Sequence, residues 1–248
     1  MSPIIHCVRH AQAYHNLTTY NDISPSDPLL TDYGMQQCEE LHNAFPHHDG
    51  VTAIVASPLK RTMGTALYAF RSVIASRGIK VIALPEIQEN SDLPCDTGSD
   101  RVELEREFAG QPTDFSLVRE GWNSKKGPWA PEHEAIAERC RVARVFLRDL
   151  ANEEGDIVVV AHGGLLHSLT QDWSDFDRHD GTGWANMEFR SYTFASNGGD
   201  QTPLVETDGS LKHRQGTRMT REDQLQLQER AEEAWAAVGY QLPGKCLA

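Results

Sequence analysis

The sequence predicts an α/β fold: a three-layer sandwich with a mostly parallel central sheet, helices on both faces, and an insertion lid. Two observations predict it. Strand-like and helix-like apolar periods alternate along the chain, which is the order of a parallel sheet with helical crossovers. The run Ile157-Val158-Val159-Val160-Ala161 is apolar on both faces, as in a central strand covered by helices on either side.

The elements follow in order. Ile4-Ile5-His6-Cys7-Val8 reads as a short buried strand, and Gly34–Phe45 as a helix after the turn residues Asp27-Pro28 and Thr31-Asp32. Ala53-Ile54-Val55-Ala56 is a second strand ended by Ser57-Pro58, and Leu59–Ser76 a helix stopped near Gly78. Lys80–Leu84 is a third strand. Glu132–Asn152 is the strongest helix, with Ala135, Ala137, Cys140, Val142, Ala143, Phe146, Leu147 and Leu150 on its apolar face. The central strand follows, and Phe189–Phe194 is a later one.

Two regions depart from this rhythm. Asn90–Pro131 is rich in Asp, Gly, Pro and Trp, with a short helical stretch near Arg101–Phe108, and reads as a lid-like insertion (90–131) over a face of the sheet. Gly198–Arg218 is polar and reads as a mobile segment. A C-terminal helix is expected over 219–239. Thr220 and Asp223 resemble a capping box there, and Leu227, Ala231, Ala234, Trp235 and Val238 share one face. The expectation is a single domain, 1–248, on which this helix docks; pairing of the helix into a homodimer is the alternative.

Composition narrows the function. The 248 residues carry 36 acidic and 23 basic side chains, a net charge of −13, which argues against a nucleic-acid or anionic-membrane surface. A small anionic substrate stays compatible, because a pocket can be locally positive inside an acidic protein. The longest apolar runs are far shorter than the ~20 residues of a membrane span. The five cysteines, Cys7, Cys38, Cys95, Cys140 and Cys246, are scattered, with no Cys-x-x-Cys pair. With no visible secretory signal, the expected compartment is reduced and cytoplasmic.

Three strands end in reactive residues. The first ends in Arg9-His10, the second runs into Ser57-Pro58-Leu59-Lys60-Arg61-Thr62, and the central one ends in His162-Gly163-Gly164. The carboxyl ends of parallel strands share one edge, where ligands bind. Arg9, His10, Arg61 and His162 can therefore converge. Two arginines and two histidines call for an anion: the guanidinium fork matches phosphate oxygens in pairs, and a neutral imidazole can attack phosphorus to form a covalent intermediate.

Those residues resemble a known family. Val8-Arg9-His10-Ala11-Gln12-Ala13-Tyr14-His15-Asn16 is similar to the Arg-His-Gly-x-x-x-x-Asn signature of the histidine phosphatase superfamily, which includes the cofactor-dependent phosphoglycerate mutases. The segments Asp27–Gly34, Ala56–Thr62 and Val160–Gly164 resemble its further motifs, in order. The resemblance implies His10 as the nucleophile that becomes phosphohistidine. It implies Arg9, Arg61 and His162 as holders of the phosphoryl oxygens, with Asn16 and Gly163 in the substrate pocket. It also implies an acid after the third strand: Glu89 fits best, with Glu86 and Asp92 as runners-up. Ala11 stands where the family usually has Gly.

The expected activity is metal-independent hydrolysis of a small phosphorylated metabolite, with no cofactor. The rivals are a mutase-type phosphotransferase, which returns the phosphoryl group to its substrate, and a phosphate-binding regulatory module without turnover. An α/β-hydrolase would need a Gly-x-Ser-x-Gly elbow, which is absent. A metal site is not expected, as His47-His48 lie in a polar loop and no His-Glu-x-x-His occurs. Trp122, Lys125, Lys126 and Trp129 form either part of a lid that reads the leaving group or a solvated turn. Asp96 and Ser99 either touch substrate or cap a helix.

Overall fold

The structure is a computed structural model and describes residues 3–17, 23–151, 155–178, 182–196 and 199–240. Among the described residues seven strands form one sheet: β1 (Ile5–Arg9), β2 (Val51–Ala56), β3 (Val81–Ala83), β4 (Thr113–Asp114), β5 (Asp156–Ala161), β6 (Phe189–Phe194) and β7 (Leu204–Glu206). Their order is β4-β3-β2-β5-β1-β6-β7. The first five are mutually parallel; β6 runs antiparallel to β1 and to β7.

Alternation along the strands builds a core on each face. Val8, Ile54, Val158 and Val160 point to one side and pack under helices α1 (Asp32–Ala44), α2 (Lys60–Ala69), α3 (Arg71–Arg77) and α4 (Arg101–Glu107). Ile5, Cys7, Val55, Ile157, Val159 and Ala161 point to the other, under α5 (His133–Ala151) and α6 (Gly163–Thr170). β5 is buried on both faces, as its sequence requires. Helix α7 (Asp208–His213) packs near β6, and α8 (Arg221–Ala237) closes the chain. No helix among the described residues is long and apolar enough to cross a membrane. Cys7, Cys38, Cys95 and Cys140 are buried and free; Cys246 and Asn152 lie outside the described residues.

Several elements differ from the sequence expectation. The Leu59–Ser76 helix is two helices, because Phe70 leaves the helical region (φ −112°, ψ 21°) between α2 and α3. The buried face of α5 carries Arg139 and Arg144 beside Ile136, Cys140, Ala143 and Leu147, whereas Ala137 and Val142 are exposed. The guanidinium Nη groups donate to backbone carbonyls, Arg139 to those of Glu86, Gln88 and Glu89 and Arg144 to that of Leu169 in α6, which lets a charged side chain take a core position. The insertion does more than cover a face: Thr113–Asp114 adds an edge strand beside β3.

The segment read as mobile contains β7 and α7; its Gly198 lies outside the described residues. The salt bridges of Arg214 to Glu206, Asp172 and Asp175 tie this polar stretch down without an apolar pattern. The Thr220–Asp223 capping box forms as expected, and Ala231 and Trp235 are buried against Trp173 and Phe176. Ala234 and Val238 face solvent instead, Val238 as the C-cap beyond the last turn of α8.

Candidate active site

The sheet order places the carboxyl ends of β2, β5 and β1 side by side, with Ala56 opposite Val160 and Arg9 opposite Ala161. The chain leaving these ends carries Arg61 in the first turn of α2, His162 at the N-cap of α6 and His10 just past β1. A backbone bond from His10 N to Ala161 O (3.0 Å) fixes the start of the first loop. Thr65 Oγ1 accepts from Ala11 N (3.0 Å) and donates to Arg61 O (2.7 Å), and Asn186 Nδ2 donates to His10 O (2.8 Å). Ala11 avoids the left-handed backbone region, so its methyl is accommodated without strain. The Asp27–Gly34 segment clamps the rest of the loop. Thr31 N and its Oγ1 contact Gln12, Tyr14 N donates to Leu29 O, and a side chain at Gly34 would collide with Gln12 O.

His10 is buried. Its Nδ1–H donates to Ala11 O (2.8 Å), so the lone pair lies on Nε2, which accepts from Arg61 Nε at 3.2 Å. Arg61 reaches further: Nη2 donates to His162 Nδ1 (3.1 Å) and to Asp96 Oδ1 (2.8 Å), and Nη1 to Cys95 O (2.6 Å). His162 Nε2 in turn donates to Ser57 Oγ (2.9 Å). Burial, then the charges of Arg61 and Arg9, hold His10 well below the ordinary imidazole range. Burial and Arg61 do the same to His162. Both rings are neutral, and one guanidinium holds their tautomers.

Arg9 is nearly buried at the end of β1. Its Nη1 donates to Thr182 Oγ1 (2.8 Å) and to Trp184 O. Gly163 opens α6 against this pair: a Cβ there would stand 2.6 Å from Thr182 Cβ and 3.4 Å from Arg9 Nε.

Glu89 follows β3 and is buried at the N-terminus of α6, where its Oε1 accepts from Leu165 N (3.0 Å) and Asn90 N (2.9 Å). Burial and the nearby Asp96 charge raise its pKa against these donors. Arg139 holds the loop by donating to the carbonyls of Glu86, Gln88 and Glu89. Of the other acids considered, Asp92 is exposed and Glu86 is half-buried. Asn16 spends its Oδ1 on Ala13 N (3.2 Å), closing its own turn.

The insertion contributes directly. Asp96 is the partner of Arg61, whereas Ser99 meets Asp27 through its backbone N–H (2.9 Å). Trp122 is buried under Gly98, Trp129 half-buried and Lys126 exposed. Lys125 has a left-handed backbone (φ 54°) and turns its Nζ onto Glu89 O (3.1 Å). Burial pulls its pKa down to about 7. Among the described residues no group of three His, Cys, Asp or Glu side chains is placed to hold a metal; His47 stacks on His6, and His48 bonds His42 O.

The family model of the histidine phosphatase superfamily (branch 1) matches residues 5–207. The chain belongs to that superfamily. It is 28% identical over 162 residues to a probable phosphatase of Schizosaccharomyces pombe, covering 64% of this chain and 73% of the relative. It is 26% identical over 244 residues to a phosphoglycerate mutase-like protein of Arabidopsis thaliana, covering 82% and 88%. Among solved structures, the ecdysone phosphate phosphatase of Bombix mori in complex with tungstate superposes with a TM-score of 0.54 at 14% identity, over 83% of this chain and 92% of that one. At that identity the likeness is one of fold.

Sequence reasoning missed several residues of this candidate site. His15 lies inside the first motif, and its ring centroid is 5.7 Å from that of His10; burial and Arg61 push its pKa down to about 2. Its place in the motif was the available signal. Thr65, Thr182 and Asn186 left no such signal, since each arrives through tertiary packing.

Proposed function

We propose that this histidine phosphatase hydrolyses a small-molecule phosphomonoester through a phosphohistidine on His10, with no metal in either step. The observation that carries the reading is the state of His10: neutral, with Nδ1–H turned to Ala11 O and the lone pair on Nε2 beside the Arg61 guanidinium. A neutral ring nitrogen with a fixed tautomer, next to a cation, suits attack on a phosphate dianion.

In the first step His10 Nε2 bonds to phosphorus while the phosphorus–alcohol bond breaks. Arg9, Arg61 and His162 hold the phosphoryl oxygens, and Glu89 gives its proton to the leaving oxygen. In the second step the Glu89 carboxylate takes a proton from water as the water oxygen attacks phosphorus. The phosphorus–nitrogen bond breaks, and inorganic phosphate leaves. The raised pKa of Glu89 supports the first role, because a general acid must arrive protonated. The insertion 90–131 serves as a lid by supplying Asp96 and Lys125 around this acid and Arg61.

The resemblance to mutase-like relatives keeps phosphoryl return to substrate as the second reading. Inorganic phosphate measured against transferred phosphoryl product, with chelator present, separates the two. Stoichiometric phosphate release that is lost in His10→Ala supports hydrolysis. Transfer without release supports the mutase, and loss of activity to chelator overturns the metal-free route.

A further inference from the structure

Glu89 has a neighbour from the far end of the chain. Helix α8 is docked through Ala231 and Trp235 on Trp173 and Phe176, and Gln224 binds Trp173 N (2.7 Å) and Asp172 (3.1 Å). His133 of α5 pairs with Glu232 of α8 at 2.8 Å. Beyond the helix, Gly239 turns left-handed (φ 73°) and Tyr240 N donates to Trp235 O (2.9 Å). That turn sets the Tyr240 ring edge-on to Trp235, with centroids 5.7 Å apart. The Tyr240 hydroxyl faces the Glu89 carboxyl across Gly164, and each group shifts the other's titration. Both groups crowd Gly164: a Cβ there would lie 2.8 Å from the Tyr240 hydroxyl and 3.1 Å from Glu89 Oε1.

We propose that Tyr240 is a positioning residue for Glu89: the C-terminal helix delivers its hydroxyl to hold the carboxyl in place for proton exchange with the leaving oxygen. The proposal rests on the reading of Glu89 as the acid. Leu165 N of α6 and Asn90 N of Glu89's own loop fix one carboxyl oxygen, and Tyr240 approaches from the tail side. When Glu89 has given its proton to the leaving alcohol, the phenol donates to the carboxylate left behind. When the carboxylate later takes a proton from water, the phenol keeps its own. Burial and the Glu89 charge hold that phenol proton in place, far above the ordinary tyrosine range. The groups facing this contact are Asp96 and Lys125 from the insertion, Arg61 from α2 and Arg139 from α5.

The test is Tyr240→Phe in the full chain, assayed with p-nitrophenyl phosphate and with a simple alkyl phosphate. An alkoxide needs the proton; a nitrophenolate leaves with little help. The expected result is a loss of about tenfold in kcat/KM on the alkyl ester and much less on the aryl ester. The alkaline limb of the alkyl profile moves to higher pH, because the ionised carboxyl has lost a donor. Gly164→Ala, which pushes on the ends of both side chains without altering either, reproduces the alkyl-selective loss. Equal losses on both esters with an unmoved limb, or no loss at all, overturn the proposal. Glu89→Gln separates the layers. If it is alkyl-selective and Tyr240→Phe is not, only the Tyr240 assignment falls. If Glu89→Gln is itself unselective, the acid reading falls and this proposal with it.

Discussion

Arg61 Nε donates to His10 Nε2 at 3.2 Å, on the one ring nitrogen of His10 that carries a lone pair. On the proposed reading, the cation sits where His10 would meet phosphorus. It sets the tautomer and opposes protonation of the ring, and a phosphoryl group entering beside it exchanges one acceptor for another.

Arg61→Lys tests that geometry. The guanidinium serves His10, His162, Asp96 and Cys95 O from three nitrogens in one plane. An ammonium has no such fork. Losing one or two charged hydrogen bonds lowers kcat/KM by about 10²-fold or more. Steady-state kinetics on an aryl phosphate checks this, and near-normal activity would mean that charge alone suffices.

Glu89→Gln tests the acid. Gln keeps the shape and the acceptor facing Leu165 N but has no exchangeable acid proton. Alkyl phosphates slow by about 10²-fold or more, within the usual contribution of general acid catalysis, whereas aryl phosphates change little in the first step. Equal loss on both would assign the proton to another group.

How much of this arrangement was legible in the sequence follows from where each residue sits. Arg9, His10, Arg61 and His162 stand at strand ends, and a parallel sheet brings such ends together whatever the loops do. Asp96, Lys125 and Tyr240 come from an insertion and a tail whose paths depend on Trp122 under Gly98 and on Trp235 against Trp173. No local period encodes those contacts. The same holds for β7 and α7, a polar stretch held by Arg214 and Glu206. The split at Phe70 is invisible because no Gly or Pro marks it.

Gly163→Ala probes the support of Arg9. The new methyl meets Thr182, which holds Arg9 Nη1. Displacing the guanidinium by a fraction of an ångström to about 1 Å lowers kcat/KM by ten- to about 10²-fold. The thermal midpoint changes little, because the clash is with side chains. Unchanged kinetics would show that Arg9 does not depend on this wall.

Five buried histidines among the described residues make stability depend on pH. His6 is lowered to about 4 by burial and by His47, and His15 to about 2; His10, His162 and His167 are lowered by burial as well. A depressed histidine is neutral when folded and protonates near 6.5 when unfolded, so its stabilising share is present above 6.5 and lost as the pH falls. His6 and His15 each lose roughly 1–2 kcal/mol between pH 6.5 and 5, and His10, His162 and His167 act in the same direction. The raised Asp27, Glu86 and Glu89, and the raised His133, act in the opposite sense with fewer groups. Denaturant midpoints should therefore drop steeply from pH 7 to 5. A flat or rising profile would mean that these rings titrate normally.

The central claim concerns His10 itself. The protein is mixed with radiolabelled substrate, quenched in alkali within one turnover and digested. Label should appear on the peptide containing His10, survive base, be lost in acid and be absent from His10→Ala. Turnover that proceeds with no acid-labile label on that peptide would contradict the account.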